Sequence, residues 1–333
     1  VKNPDAGLVA AGLDTTKIHT DGNNFAPRFG FAYKLSDNGN LTLRGGYGMF
    51  YGRTPSILTG TAITQNGIQV ATYTLNSTNT TQAPLIPSYP NLLSGAPALA
   101  RTPDIYVFDA NYVQPLTHQW SLNLERQLAR DYVVTVGYLG VRGEHLSRTR
   151  DINLQPAVAT AGSLADGTAV TFLRHPGRVN PNFGRISLFD SGADSIYHGG
   201  FIQLSKRMSR NFQVQTSYML AHAIDDKPDF TSVVVGTDDS KNAQDTLNPN
   251  GERGRANADI RHRFVLSGTW DIDYGKSLQN KIAKALFSGY QFSMITTLQS
   301  GRPLTATVGS GDPNNDANSG TDRFPGVGRN TIE

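Results

Sequence analysis

Residues 118–143, HQWSLNLERQLARDYVVTVGYLGVRG, constrain this chain more than any other stretch. Two runs flank a tight turn at Ala129-Arg130-Asp131. In the first, Trp120, Leu122 and Leu124 share one side, and Gln119, Ser121, Asn123, Glu125 and Gln127 share the other. In the second, Tyr132, Val134, Val136 and Tyr138 form the apolar side, opposed by Val133, Thr135 and Gly137. Period-two alternation means extended backbone, because successive side chains of a strand point to opposite faces. The stretch therefore reads as a β-hairpin. Each arm is long enough for a tilted transmembrane strand, which needs roughly 9–11 residues.

The pattern recurs. Strands are expected at 25–35, 41–51, 118–128, 132–142, 198–208, 211–222, 260–274 and 289–299. Within the pairs the connections are short: Ser36-Asp37-Asn38-Gly39-Asn40, the Ala129–Asp131 turn, and Ser209-Arg210. The fourth, 275–288, has room for a helical turn or two over NKIAKALF. Between the pairs lie long segments, 52–117, 144–196 and 223–259, rich in Thr, Asn, Pro, Gly and Asp. Of these only Ile63–Leu75 has a strand-like stretch. Residues 1–24 read as loop and 300–333 as a polar tail. Antiparallel strands then put every short turn at one end and every long loop at the other, the layout of outer-membrane barrels. A soluble sandwich would show turn signals every 8–12 residues or so, without this asymmetry. The expected fold is all-β: an antiparallel, up-and-down transmembrane β-barrel segment of about eight strands in four hairpins.

The two faces divide the chemistry. The face opposite the apolar one carries Gln, Ser, Asn, Thr and Gly with few charges, which suits a wet lumen better than a solvent-exposed sandwich face rich in Lys and Glu. Its expected lumen-facing members are Arg44, Gln119, Asn123, Glu125, Gln213, Gln215, Arg261, Arg263, Asp271 and Asp273. For the charged ones, ion pairing to neighbouring strands or to a plug is the favoured role over solute guidance. Tyr33, Tyr51, Trp120, Tyr132, Tyr138, Tyr218, Trp270, Tyr274 and Tyr290 are the candidates for lipid-facing aromatic belts, since amphipathic rings prefer membrane interfaces.

Composition sets outer bounds. Hydrophobic residues are 38% without Gly, and there are 34 Gly and no Cys, so disulfide and thiol chemistry are out. A net charge of +3 implies neither nucleic acid nor an acidic partner. Basic and aromatic residues fall on opposite strand faces, so no nucleic-acid stripe forms. No run of 18 apolar residues exists, but a barrel would have none either. Val1-Lys2-Asn3-Pro4-Asp5 has no signal-peptide character, so an exported chain is seen here in mature or truncated form.

Catalytic patterns are missing. His19, His118, His145, His175, His198, His222 and His262 have no metal-ligand spacing, and there is no H-E-x-x-H or G-x-S-x-G. Arg44-Gly45-Gly46-Tyr47-Gly48 sits inside a strand, which rejects a phosphate loop; Gly there relieves crowding or bends the sheet. No cofactor is expected, and no enzyme activity. One weak Ca²⁺ candidate remains in GDPNNDANSGTD, where Asp312, Asn314, Asp316, Asn318 and Asp322 supply hard oxygens. It lacks the EF-hand arrangement, and a solvated loop is the favoured reading; the same holds for Asp225-Asp226 and Asp238-Asp239.

With the strands located, a resemblance emerges. NNFAPRFGFAYKL and LTLRGGYGMFYGR, then HQWSLNLERQL with VTVGYLGVRGEHLSR and NLQP, then GGFIQLSKRMSRNFQVQTSYMLAHAIDD, then DIRHRFVLSGTWDIDYG and GYQFSMITTLQSGRP, occur in that order. The set resembles the C-terminal barrel region of Oar-type TonB-dependent outer-membrane receptors over about residues 20–305. The resemblance implies a 22-stranded barrel around an N-terminal plug, which TonB engages, in the outer membrane of a Gram-negative bacterium. No plug or aromatic-terminated last strand is found here, and the family's Asp-Arg-Pro-Asn is replaced by Asp322-Arg323-Phe324-Pro325. The chain is thus expected to be an internal piece, an open curved sheet rather than a closed small barrel, with two unpaired edges. Its expected partners are outer-membrane lipid, the TonB complex through that plug, and an unidentified extracellular substrate. A passive porin or adhesion barrel is the alternative, and a soluble carbohydrate-binding or hydrolytic β-protein a third reading.

Overall fold

The computed structural model describes the chain except residues 19–20, 71–74, 76, 78–79, 93–94, 96–101, 164–165, 228–242, 278, 309–311, 317–321, 325 and 333. Asp238, Asp239, Asn318 and His19 therefore lie outside the described residues. In chain order the strands are β1 (Arg28–Lys34), β2 (Leu41–Tyr51), β3 (Ile105–Phe108), β4 (Leu116–Ala129), β5 (Tyr132–Asp151) and β6 (Val158–Ser163). There follow β7 (Ala169–Arg174), β8 (Ile186–Ser209), β9 (Phe212–Asp225), β10 (Gly254–Arg255), β11 (His262–Ile272) and β12 (Tyr290–Gln299). Three short α-helices accompany them: α1 (Ala6–Ala10), α2 (Ser56–Thr64) and α3 (Lys281–Phe287).

Eight of the strands form one antiparallel meander in the order β1-β2-β4-β5-β8-β9-β11-β12. These are the eight that alternation picks out. The register aligns their apolar residues across the sheet. Trp120 stands opposite Tyr47 and Gly140, Val136 opposite Leu124 and Ile202, and Tyr218 opposite Ile202 and Phe264. Trp270 stands between Phe212 and Phe292. A one-residue slip would move each set to the other face, so this alignment is what fixes the pairing. The β8–β9 turn places Arg210 and Asn211 at φ 48° and 67°, the twist-compatible two-residue hairpin geometry. Among the described residues β1 and β12 each have a single neighbour, so the sheet is open.

The long-loop end departs from a simple loop reading. β5 runs on to Asp151 and β8 starts at Ile186, well beyond the expected limits at 142 and 198. The extensions carry Glu144, Arg148, Arg150, Asp190 and Asp194 among their apolar residues, which breaks the apolar–polar alternation that marks the rest of the strands. In Ile63–Leu75 the described residues form no strand, and 71–74 lie outside the described residues. Ser56–Thr64 is helix α2, and 65–70 have no regular structure; leucine and alanine at 58 and 62 bury one side of that helix. The described residues of 300–333 are not a free tail. Leu304 bridges Ile332 and Thr307 bridges Arg323, with Arg323, Arg329 and Asn330 buried.

Packing is inverted relative to a soluble protein. In the meander the apolar side chains are exposed, Leu122 at 49%, Val136 at 50% and Phe292 at 56%. The buried apolar clusters lie at the long-loop end instead. β3 pairs in parallel with the start of β8 and is buried on both faces. Ile105 and Val107 pack with Leu8, Phe183, Ile186 and Leu188; Tyr106 and Phe108 pack with Leu58, Ala62, Tyr112 and Phe189. The loops thus fold into a cap with its own core, set on a wall whose oily side meets no other part of the chain among the described residues.

Candidate functional site

The wall presents two chemically distinct faces. On β5 the apolar face reads Tyr132, Val134, Val136, Tyr138, Gly140, then turns charged at Arg142 and Glu144. Ten residues at ~3.4 Å each and a tilt near ~40° give a band about 25 Å tall, the height of an outer-membrane barrel's lipid-facing zone. The upper limit of the band carries a repeated pair. The Tyr47 hydroxyl lies 2.6 Å from His118 Nδ1, that of Tyr138 2.5 Å from His198 Nδ1, and that of Tyr218 2.8 Å from His262 Nδ1. Each histidine sits on the strand next to its tyrosine; His118 and His262 lie at the long-loop ends of β4 and β11, and His198 lies midway along the lengthened β8. Gly140 leaves room for the Trp120 indole, which a Cβ at 140 would strike. At the lower limit Trp270 Nε1 donates to the Tyr274 hydroxyl at 3.0 Å, and the Tyr290 hydroxyl donates to the Ala285 carbonyl at 3.0 Å.

The cap is held by buried charge pairs. Arg323 makes two bonds to Glu252, at 2.8 and 2.9 Å. Arg148 Nε reaches Asp190 Oδ1 at 2.9 Å, and Arg150 bonds the second oxygen of Asp190. Arg178 pairs with Asp151 and Arg329 with Asp225. Arg255 and His222 both meet Asp259. Asn153 donates its amide to the carbonyls of Asn180, Phe183 and Gly184. These contacts tie the described parts of 144–196, 223–259 and 300–333 into one body. Between them lies a cavity of about 360 Å³, lined by Phe172, His175, Asp245, Glu252, Arg323 and Phe324 among others.

The described residues of the Asp/Asn-rich segment belong to this body and are not a solvated loop. Asn314, Asp316 and Asp322 are buried; Asn314 donates to the Gln244 carbonyl at 2.8 Å. Burial pushes the Asp322 carboxyl up to about 7, with Asp316 and Asp312 adding to the shift, and among the described residues its oxygens have no hydrogen-bond partner. Among the described residues no three His, Asp or Glu side chains are grouped to hold a metal ion. Asp225 and Asp226 are likewise buried, and burial raises both carboxyls.

The model for the outer membrane beta barrel domain matches residues 2–331. The chain belongs to this family of outer-membrane β-barrel domains. The barrel domain's place is the outer membrane. It is similar in structure to the outer membrane transporter YddB from Escherichia coli, at 10% identity and TM-score 0.48, over 90% of this chain and 32% of that one. It is also similar to the siderophore receptor PirA from Acinetobacter baumannii, at 10% identity and TM-score 0.34, over 91% of this chain and 40% of the other. For PirA from Pseudomonas aeruginosa the figures are 9%, 0.30, 83% and 42%. The chain thus spans about a third to two fifths of these structures' length. The comparison with curated proteins gives no match.

Within the barrel domain, Arg44, Gln119, Asn123, Glu125, Gln213, Gln215, Arg263 and Asp271 share the polar face. Arg44 and Glu125 come within 3.9 Å across β2 and β4, and Asp271 accepts from Gln291 at 2.7 Å. Arg261 precedes β11 and Asp273 follows it, so neither is a strand residue. Tyr33, Tyr51, Trp120, Tyr132, Tyr138, Tyr218, Trp270 and Tyr290 share the apolar face, while Tyr274 sits in the 3-10 turn after β11. The Tyr–His pairs were missed by sequence reasoning, although His118, His198 and His262 hold matching positions once the strands are aligned. The Glu252–Arg323 lock had no signal, since its partners lie in separate loops.

Proposed function

We propose that this chain is a wall segment of an Oar-type TonB-dependent receptor that takes up an extracellular substrate. The polar face lines the lumen, the apolar face meets lipid, and the cap receives the solute. The observation that carries this reading is the inverted packing: exposed apolar side chains on the wall, and a buried, cavity-bearing core in the long loops. A plain pore has little use for such a cap, whereas a receptor needs rigid walls around its ligand. The chain performs no bond chemistry; it binds and guides. Energy coupling would run through a plug domain supplied outside residues 1–333, which TonB pulls on. The resemblance supports this step, through the ordered motifs from 20 to 305.

The test is uptake by cells making the intact receptor, with and without a functional TonB system. Loss of receptor-specific uptake without TonB is the expected result. Uptake that continues unchanged would favour the passive porin reading. Surface labelling of a cysteine introduced in 166–168 tests the direction of the cap: labelling in whole cells is expected.

A further inference from the structure

Three consecutive residues of β7, Thr171, Phe172 and Leu173, line the cap cavity. Neighbouring side chains on a strand point to opposite faces, so three in a row reach one cavity only where it runs along the strand's edge. Among the described residues that edge is unpaired. β7 bonds β6 on its other side, and no further strand joins it among the described residues. Open backbone N–H and C=O groups beside a recess with aromatic walls capture an extended chain by adding it as a strand. Charge narrows the choice. Glu252 and Arg323 neutralise each other, while Asp245, in the same lining, has no ion pair among the described residues.

We propose that the solute received by the cap is a short extended peptide. It pairs with the free edge of β7, sets an apolar side chain against Phe172 and Phe324, and presents a basic side chain to Asp245. At about 360 Å³ the cavity has room for a side chain and part of the backbone, within the ~300–1,000 Å³ range of ligand sites. Main-chain pairing gives affinity without a fixed sequence, and the aromatic recess supplies the selection. The proposal rests on the receptor reading above and names its substrate class.

The test is calorimetric titration of the intact receptor in detergent micelles. The probe is an acetylated, amidated hexapeptide of alternating Thr and Val with one central Phe and one Lys. Binding is expected, and methylating alternate backbone nitrogens is expected to weaken it at least about tenfold, near 1.4 kcal/mol. Phe324→Ala should weaken it at least about fivefold while Phe324→Leu keeps most of it. Asp245→Asn should weaken the Lys peptide and leave its Gln analogue unchanged. No binding of the hexapeptide, equal binding of the methylated form, or binding of maltotriose in its place would overturn the proposal. Peptide binding in micelles with TonB-independent uptake in cells would keep this inference and remove energy coupling; the reverse pair would do the opposite.

Discussion

The ammonium of Lys206 lies 3.7 Å from the centroid of the Phe212 ring, on the apolar face and almost wholly buried. The same group donates to the carbonyls of Ser209 and Phe212 at 2.7 Å each and to Ser209 Oγ at 2.9 Å. A cation on an oily face is tolerable because its stem lies along the sheet and its head turns into the hairpin end, where backbone acceptors wait. Lys206→Met keeps the stem and removes the head. Each bond to a charged donor contributes about 1.5–3 kcal/mol, so the variant should unfold in micelles at clearly lower denaturant. An unchanged midpoint would mean that the lysine only decorates the turn.

Val136 and Ser121 test the two faces directly. Val136 stands mid-band between Leu124 and Ile202, half exposed; Ser121 is on the opposite face of the next strand. Val136→Arg should impair membrane insertion, because Arg at the midplane of a lipid-facing surface costs about 2–4 kcal/mol. Ser121→Arg should insert normally. Gel mobility of boiled and unboiled samples after refolding into vesicles reads the outcome. Equal behaviour of the two variants would contradict the face assignment.

Glu252 and Arg323 clamp two loops through a buried bidentate pair. Glu252→Gln leaves an uncompensated guanidinium in the cap, a loss of about 3–5 kcal/mol when one partner of a buried pair is removed. Hydrogen exchange should quicken over 244–256 and 322–332 while β4, β5, β8 and β9 keep their protection. Uniform loosening of the whole chain would show that cap and wall are not separable.

Asp322 makes cap stability depend on pH. Its folded carboxyl titrates near 7 against a usual value of 3.8, through burial first and Asp316 and Asp312 next. Between these values the folded state holds a proton that the unfolded chain has released. The group therefore favours folding at low pH, and that contribution falls as pH rises toward 7. Asp322→Asn should match the parent at pH 4 and exceed it at pH 8, by a shift in melting temperature of several degrees. Identical pH profiles would show that the carboxyl is not held in a desolvated place.

The wall was legible in the sequence because lipid and water impose the simplest possible code on a strand. Trp120, Leu122 and Leu124 against Gln119, Ser121 and Asn123 states which side is which without any tertiary information. The open sheet edge and the helical turns in NKIAKALF were legible too, the latter through Asn280, whose side chain caps Ile282 and Ala283. The cap was not. Its interior is held by Asp151, Asn153, Asp190 and Asp259 bonded to arginines and backbone, and in a sequence such residues read as solvated loop. Arg148, Arg150 and Asp190 hid the upper ends of β5 and β8 for the same reason. Helix α2 was missed: 56–62 read as irregular loop and its last two residues, Ile63 and Thr64, fell in the strand-like stretch, because the burial partner, β3, is out of view.

The account stands on the apolar face meeting hydrocarbon, and the chain carries its own reporters. Its two tryptophans, Trp120 and Trp270, both lie on that face. Tryptophan emission should be measured after reconstitution into vesicles of phosphatidylcholine brominated on its acyl chains, beside aqueous iodide as the competing quencher. Strong quenching by the brominated chains with little by iodide is the expected result. Quenching by iodide alone would contradict it, since the indoles would then face water.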